Sequence, residues 1–130
     1  MSTRDVADKF MRSIESMDFP AAFGLLADDG EYTVIGTTEA SGKYYGPQEM
    51  IEKLLPALSD FIEPPALTFE DPIVDGDRVV MLASGEGVGP TGPYKQPYYA
   101  FVATVKGDRF SSVIEFMDTE MLNTGIFGKS

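Results

Sequence analysis

The chain has 130 residues, with 21 acidic side chains against 10 basic ones, a net charge of −11, and neither cysteine nor histidine. Those absences exclude disulfides, thiolate and imidazole metal sites, and every Ser-His or Cys-His pair, so acid–base chemistry falls to carboxylates, tyrosine or lysine. The acidic balance opposes binding to nucleic acid or an anionic membrane, both of them polyanions, and no apolar run approaches the roughly 18 residues of a membrane span.

Val6, Phe10, Ile14 and Met17 recur at helical spacing, which predicts one amphipathic helix from Thr3 to Met17. Asp18 then caps a short second helix, Phe19 to Leu26, with Pro20 in its first turn. Asp28-Asp29-Gly30 ends that helix, and Glu31 to Gly36 alternates as a strand. Thr37 to Gly46, rich in Thr, Ser, Gly and Tyr, is a loop. A third helix runs from Pro47 toward Phe61 and is broken or kinked at Pro56, with Glu63-Pro64-Pro65 as its stop.

Strands fill the remainder. Leu67 to Val74 and Arg78 to Val88 flank the turn Asp75-Gly76-Asp77, and Gly89 to Pro93 is a second turn. Tyr98 to Val105 and Phe110 to Phe116 follow, joined by Lys106-Gly107-Asp108. Helices first and a strand meander afterwards predict an α+β fold with a curved, mainly antiparallel sheet. Neither repeats nor linkers interrupt it, so residues 1–130 are expected to be one domain. The N-terminus, Met1-Ser2-Thr3-Arg4-Asp5-Val6, lacks the apolar stretch of an export signal, and a cytoplasmic location is expected.

Three stretches, in order and at the right spacing, carry a resemblance. Phe23-Gly24-Leu25-Leu26-Ala27-Asp28-Asp29 resembles a Leu-Phe-Ala-Asp-Asp run before a first strand, and Tyr45-Gly46-Pro47-Gln48-Glu49-Met50-Ile51 resembles the opening of a third helix. Tyr99 to Val102, Gly107 to Phe110 and Ile114-Glu115-Phe116-Met117-Asp118-Thr119 resemble the closing strands of SnoaL-like domains. The turn here reads Gly-Asp-Arg-Phe where that group has Asp-Gly-Lys-Ile. Over essentially its whole length the chain resembles the SnoaL-like group of the nuclear-transport-factor-two-like (NTF2-like), ketosteroid-isomerase-like superfamily. That resemblance implies a cone-shaped roll of three N-terminal helices closing a curved sheet over an apolar cavity. It also implies a homodimer through the outer face of the sheet. Both faces of Tyr99 to Val105 are largely apolar, as a sheet covered on both sides requires.

The scaffold does not fix the chemistry. A ketosteroid isomerase uses an aspartate base with an oxyanion hole of a tyrosine and a protonated aspartate; by the resemblance these positions fall at Val34, Phe10, and Ala100 or Phe101. The Asp-Arg-Asp set of limonene-epoxide hydrolases falls at Ser84, Leu82 and Glu115. Scytalone-dehydratase-like catalysis needs histidines. What survives is acid–base chemistry by a cavity carboxylate, and Glu115 is the candidate catalytic residue. Strand parity puts it on the face of Ser111, Val113 and Met117, which the resemblance turns inward. Desolvation there would raise its pKa toward a proton shuttle's; the alternative is a structural carboxylate held by a hydrogen bond or an arginine.

Ser84 and Glu86 share a face of their strand and are expected to join Glu115, the alternative for Glu86 being simple solvent exposure. Tyr32 and Tyr99 are candidate hydrogen-bond donors to a ligand, the alternative being plain core. Val34, Phe101 and Val113 complete the expected lining, Tyr44 and Tyr45 would sit at the cavity mouth, and Glu120 to Phe127 could lie across the opening. Phe10, Met50, Leu54, Leu58, Met81 and Phe101 are expected to be packing more than recognition. No metal and no cofactor is expected, and the expected partner is a small apolar molecule. The function expected is a cofactor-independent isomerase, cyclase or hydrolase acting on a hydrophobic or polyketide-like molecule. Its alternatives are a non-catalytic binding or accessory domain, and a dimeric interaction module whose cavity is filled by Phe10, Tyr32, Met81 and Phe101.

Overall fold

The computed structural model describes residues 2–127. Helix α1 (Thr3–Glu15) begins at Ser2, whose hydroxyl accepts from the Asp5 N–H while the Asp5 carboxylate accepts from the Ser2 N–H. This reciprocal pair satisfies two donors that a helix start leaves open. Its stripe Val6, Ala7, Phe10, Met11 and Ile14 is buried. The Asp18 side chain caps α2 (Phe19–Phe23), shorter than the expected Phe19 to Leu26.

The sheet has seven strands: β1 (Leu26–Val34), β2 (Gly42–Tyr45), β3 (Glu63–Phe69), β4 (Ile73–Asp75), β5 (Arg78–Gly89), β6 (Gly92–Lys106) and β7 (Arg109–Phe116). Their order is β2-β1-β7-β6-β5-β3, with β4 also on β5, and among the described strands only the β1–β7 pair is parallel. The fold is α+β, with a curved, unclosed sheet. Helix α1 packs against β3 and β5, and Phe10 meets Phe101 and Phe110 edge-on at 5.6 and 5.5 Å.

Several boundaries differ from those expected. Asp28-Asp29-Gly30 lies inside β1, as an irregularity where four residues of β1, between Leu26 and Glu31, stand against one of β7, between Phe110 and Ser112. Part of the expected loop is strand β2, with Tyr44 opposite Tyr32. The third helix consists of α3 (Gly46–Glu49), a π-helical turn (Met50–Leu54) and α4 (Leu55–Leu58). The Leu55 N–H donates to the Met50 carbonyl, one residue further back than in an α-helix. Pro56, which has no N–H to continue the ladder, follows at once, so its disturbance is absorbed as a wide turn. Pro64 and Pro65 are tolerated within β3 because that strand is an edge. The expected strand Leu67 to Val74 divides into β3 and β4.

The largest correction concerns β6, which starts at Gly92 and not at Tyr98. Its register with β5 shifts between Ala83↔Tyr99 and Gly85↔Gln96, so three residues of β6 span two of β5. This β-bulge at Pro97-Tyr98 reverses strand parity. Tyr94 and Gln96 on one side of it, and Tyr99 and Phe101 on the other, are all buried, whereas Tyr98 is 83% exposed. A second bulge, in β7, makes Ser111 the extra residue between Thr104↔Ser112 and Val105↔Phe110. The Ser111 hydroxyl donates to the Thr104 carbonyl, so Ser111 does not take the expected place beside Val113 and Glu115.

Helix α5 (Thr119–Gly125) crosses the end of the β5–β6 hairpin. Asp118 caps it through the N–H groups of Glu120 and Met121, and Thr91 donates to the Thr124 carbonyl. Gly89 and Gly125 touch through their backbones: a Cβ at Gly89 would stand 2.0 Å from the Gly125 carbonyl oxygen. No helix among the described residues is long and apolar enough to cross a membrane.

Candidate functional site

The concave face of the sheet, the helices and α5 enclose a cavity of about 100 Å³. Phe19, Phe23, Phe61, Tyr94, Tyr99 and Phe101 supply aromatic walls, Val34, Leu54, Leu58 and Leu67 aliphatic ones, and Leu122, Ile126 and Phe127 close one side. Leu54, Leu58 and Phe101 therefore front the cavity as well as packing. Phe10, Met50 and Met81 are core beneath it. A void remains, with Tyr32 and Phe101 in its walls, so the expectation of a cavity filled by Phe10, Tyr32, Met81 and Phe101 does not hold.

Glu115 is the one charged side chain in that lining among the described residues. Strand register places it opposite Phe101 of β6 and Val34 of β1. Burial pushes its carboxyl up to about 7, against a hydrogen bond from the Tyr32 hydroxyl that lowers it. Desolvation prevails because water is replaced by hydrocarbon and rings, while a single donor offsets only part of that loss. Tyr32, 3% exposed, is itself pushed well above an ordinary tyrosine, first by burial and then by the carboxylate beside it. Among the described residues no arginine pairs with Glu115.

Of the residues singled out from sequence, Tyr32, Val34, Tyr99, Phe101 and Glu115 line one cavity. Val113 is buried in register with Tyr32 and Ala103, and supports the wall without lining it. Ser84 and Glu86 do not join Glu115. On β5 the inward side chains are Val79, Met81 and Ala83, and Ser84 and Glu86 are exposed on the other face, opposite Thr68 and Ala66 of β3. Their shared parity was right, but the face was the wrong one. Tyr44 and Tyr45 do not form the mouth: the Tyr44 hydroxyl donates to the Ala40 carbonyl, and Tyr45 is 53% exposed.

Sequence reasoning missed Tyr94 and Gln96. Gln96, 1% exposed, accepts from the Asp118 N–H and donates to the Asp118 carbonyl and the Tyr94 hydroxyl. It thereby ties the start of α5 to the cavity wall. The alternation Tyr94-Lys95-Gln96-Pro97 is a period-2 signal, hidden by the Gly/Pro-rich run before it. No group of three or more acidic side chains among the described residues could hold a metal ion.

No protein-family model matches the chain, and no curated protein is significantly similar to it in sequence. Its fold is nonetheless shared with solved structures. An NTF2-like protein from Burkholderia thailandensis superposes with a TM-score of 0.85 at 16% identity, covering 96% of this chain and 97% of that one. TerC, co-crystallised with polyporic acid, gives 0.82 at 16% identity over 96% and 98%. A protein of ketosteroid-isomerase-like fold from Catenulispora acidiphila, in complex with trimethylamine, gives 0.76 at 16% identity over 96% and 93%.

Proposed function

We propose, from the premise that the chain has the NTF2-like, ketosteroid-isomerase-like fold, that its cavity binds a small, largely apolar molecule and that Glu115 moves a proton on it without a cofactor. The observation that carries this reading is a lone carboxylate set in an apolar cavity with one tyrosine donor. Near pH 7 such a group is divided between its two forms, so the base that removes a proton and the acid that returns it are both present. Isomerisation, cyclisation and hydrolysis without a metal all draw on that capacity. Two structures of the same fold were solved with small molecules, which supports a ligand in this one.

A second reading is binding without catalysis; in either reading the cavity, at about 100 Å³ against the roughly 300–1,000 Å³ of a typical ligand pocket, admits only a small molecule. A polyketide-sized substrate would require the cavity to dilate. The homodimer belongs to the same proposal, supported by Tyr98 and Phe116, which lie with Leu82 and Ala100 along an outward-facing groove of the sheet.

Carboxyl-carbon NMR, with Glu115→Gln for assignment, tests the central point. The expected result is a midpoint near 7 that moves when apolar ligands are added. An ordinary carboxylate titration, indifferent to ligands, would leave Glu115 without the proposed role.

A further inference from the structure

The cavity contains a second polar feature, and its hydrogens can be counted. The Oε1 of Gln96 accepts from the Asp118 N–H at 3.0 Å, which fixes the orientation of the amide. Both Nε2 hydrogens are then committed, one to the Asp118 carbonyl at 2.7 Å and one to the Tyr94 hydroxyl oxygen at 2.9 Å. That oxygen lies 3.4 Å from the hydroxyl oxygen of Tyr99.

Two phenols bring two hydrogens, and only one can lie between them. The Gln96 nitrogen is a donor and cannot accept the other. Among the described residues neither phenol has a further acceptor within hydrogen-bond distance. Whichever phenol donates to its neighbour, one phenolic hydrogen is left over. Tyr94 and Tyr99 are 1% and 6% exposed, and both line the cavity. A buried donor with no protein acceptor is costly, and an atom that enters the cavity, from water or from a ligand that displaces it, is what can satisfy it.

We propose that the Tyr94–Tyr99 pair is a second subsite of the cavity, built to receive one acceptor oxygen, and that the ligand is a small neutral molecule bearing a carbonyl or similar oxygen on an apolar body. This rests on the reading of the cavity as a ligand site and adds the ligand's chemical class. Anionic ligands are disfavoured, because among the described residues no lysine or arginine lines the cavity and Glu115 already contributes a carboxylate. Size sets the other bound. An engineered cavity of about 150 Å³ accommodates benzene, so about 100 Å³ limits the ligand to at most a single small ring. The pair stays protonated over the working range, since burial and the nearby Glu115 push both phenols above an ordinary tyrosine.

The test compares cyclopentanone with its hydrocarbon isostere methylenecyclopentane, binding being followed by protein NMR. It is run at pH 9, where Glu115 is ionised and cannot itself donate to the ketone. The ketone is expected to bind roughly tenfold tighter. Tyr94→Phe and Tyr99→Phe should each keep the preference, because the remaining phenol still has a free hydrogen. The double variant should lose it while binding the hydrocarbon as before, which also reports that the variant folds. Independently of any variant, the carbonyl stretch of bound cyclopentanone should lie below its value in hexane.

A preference that survives in the double variant, one absent from the wild type, or an unshifted carbonyl stretch would overturn the subsite while leaving the cavity reading intact. Failure of both compounds to bind the wild type would overturn the two together.

Discussion

The hydroxyl of Tyr32 donates to the carboxylate of Glu115 across the parallel β1–β7 pair of the sheet, linking residues 83 positions apart. The bond favours the ionised carboxylate and burial opposes it, so the two effects can be separated. In Tyr32→Phe the donor is removed and the apolar surroundings remain. The Glu115 midpoint should then rise above about 7, by roughly one unit if the bond has the usual strength of one made to a charged group. Carboxyl-carbon NMR reads this directly, and an unchanged or lower midpoint would show that Tyr32 does not govern the proton affinity.

Burial of Glu115 has a price in stability that depends on pH. Its carboxyl titrates near 4.5 when unperturbed and near 7 in the fold, so between those values the folded chain binds more protons than the unfolded one. Stability should therefore fall as pH rises from about 4.5 through 7, by up to about 3 kcal/mol from this group. Glu115→Gln should flatten that part of the profile and be the more stable protein at pH 8. Urea unfolding of both proteins from pH 5 to 8 measures the difference; parallel profiles would contradict it.

Gln96 makes three hydrogen bonds at once, and a leucine of similar size can make none of them. Gln96→Leu leaves the Asp118 N–H and carbonyl without their partner and should cost about 2–4 kcal/mol. The loss should be local before it is global: amide hydrogen exchange in α5 should accelerate more than exchange in β7. Uniform acceleration would mean that Gln96 does not specifically anchor that helix.

The contact between Gly89 and Gly125 leaves no room for a methyl group. Gly89→Ala would press a carbon against a backbone carbonyl that cannot rotate away, and should destabilise by about 1–3 kcal/mol as the hairpin and α5 separate. Urea midpoints for Gly89→Ala and the exposed control Gly107→Asn should differ, the latter retaining a residue type that tolerates positive φ.

The elements that sequence periodicity revealed were those with a regular pattern: the Val6–Phe10–Ile14 stripe of α1 and the strands on either side of Gly107; the inward placing of Glu115 came from the family resemblance, not from periodicity. What it missed follows from irregularity. Asp28-Asp29-Gly30 has turn composition but continues as strand because β7 pairs on both sides of it. Ser84 and Glu86 were placed by parity alone, and parity cannot say which of two faces is concave. Tyr94 and Gln96 lie beyond the bulge at Pro97-Tyr98, so alternation counted back from Tyr99 turns them outward. The third helix was expected to break at its proline, and the π turn before Pro56 shows a local strain redistributed over a neighbouring turn.

That bulge also makes the length of β6 a functional quantity. Removing one residue at Pro97-Tyr98 would restore simple alternation and rotate the first half of the strand by half a turn. Tyr94 and Gln96 would then face outward, and Lys95, which is now exposed, would point inward beside the ring of Phe61. A neutral wall would acquire a cation facing Glu115, without a single side chain having been exchanged. In this chain, a deletion at that one point would thus shift the charge class of ligand that the cavity favours.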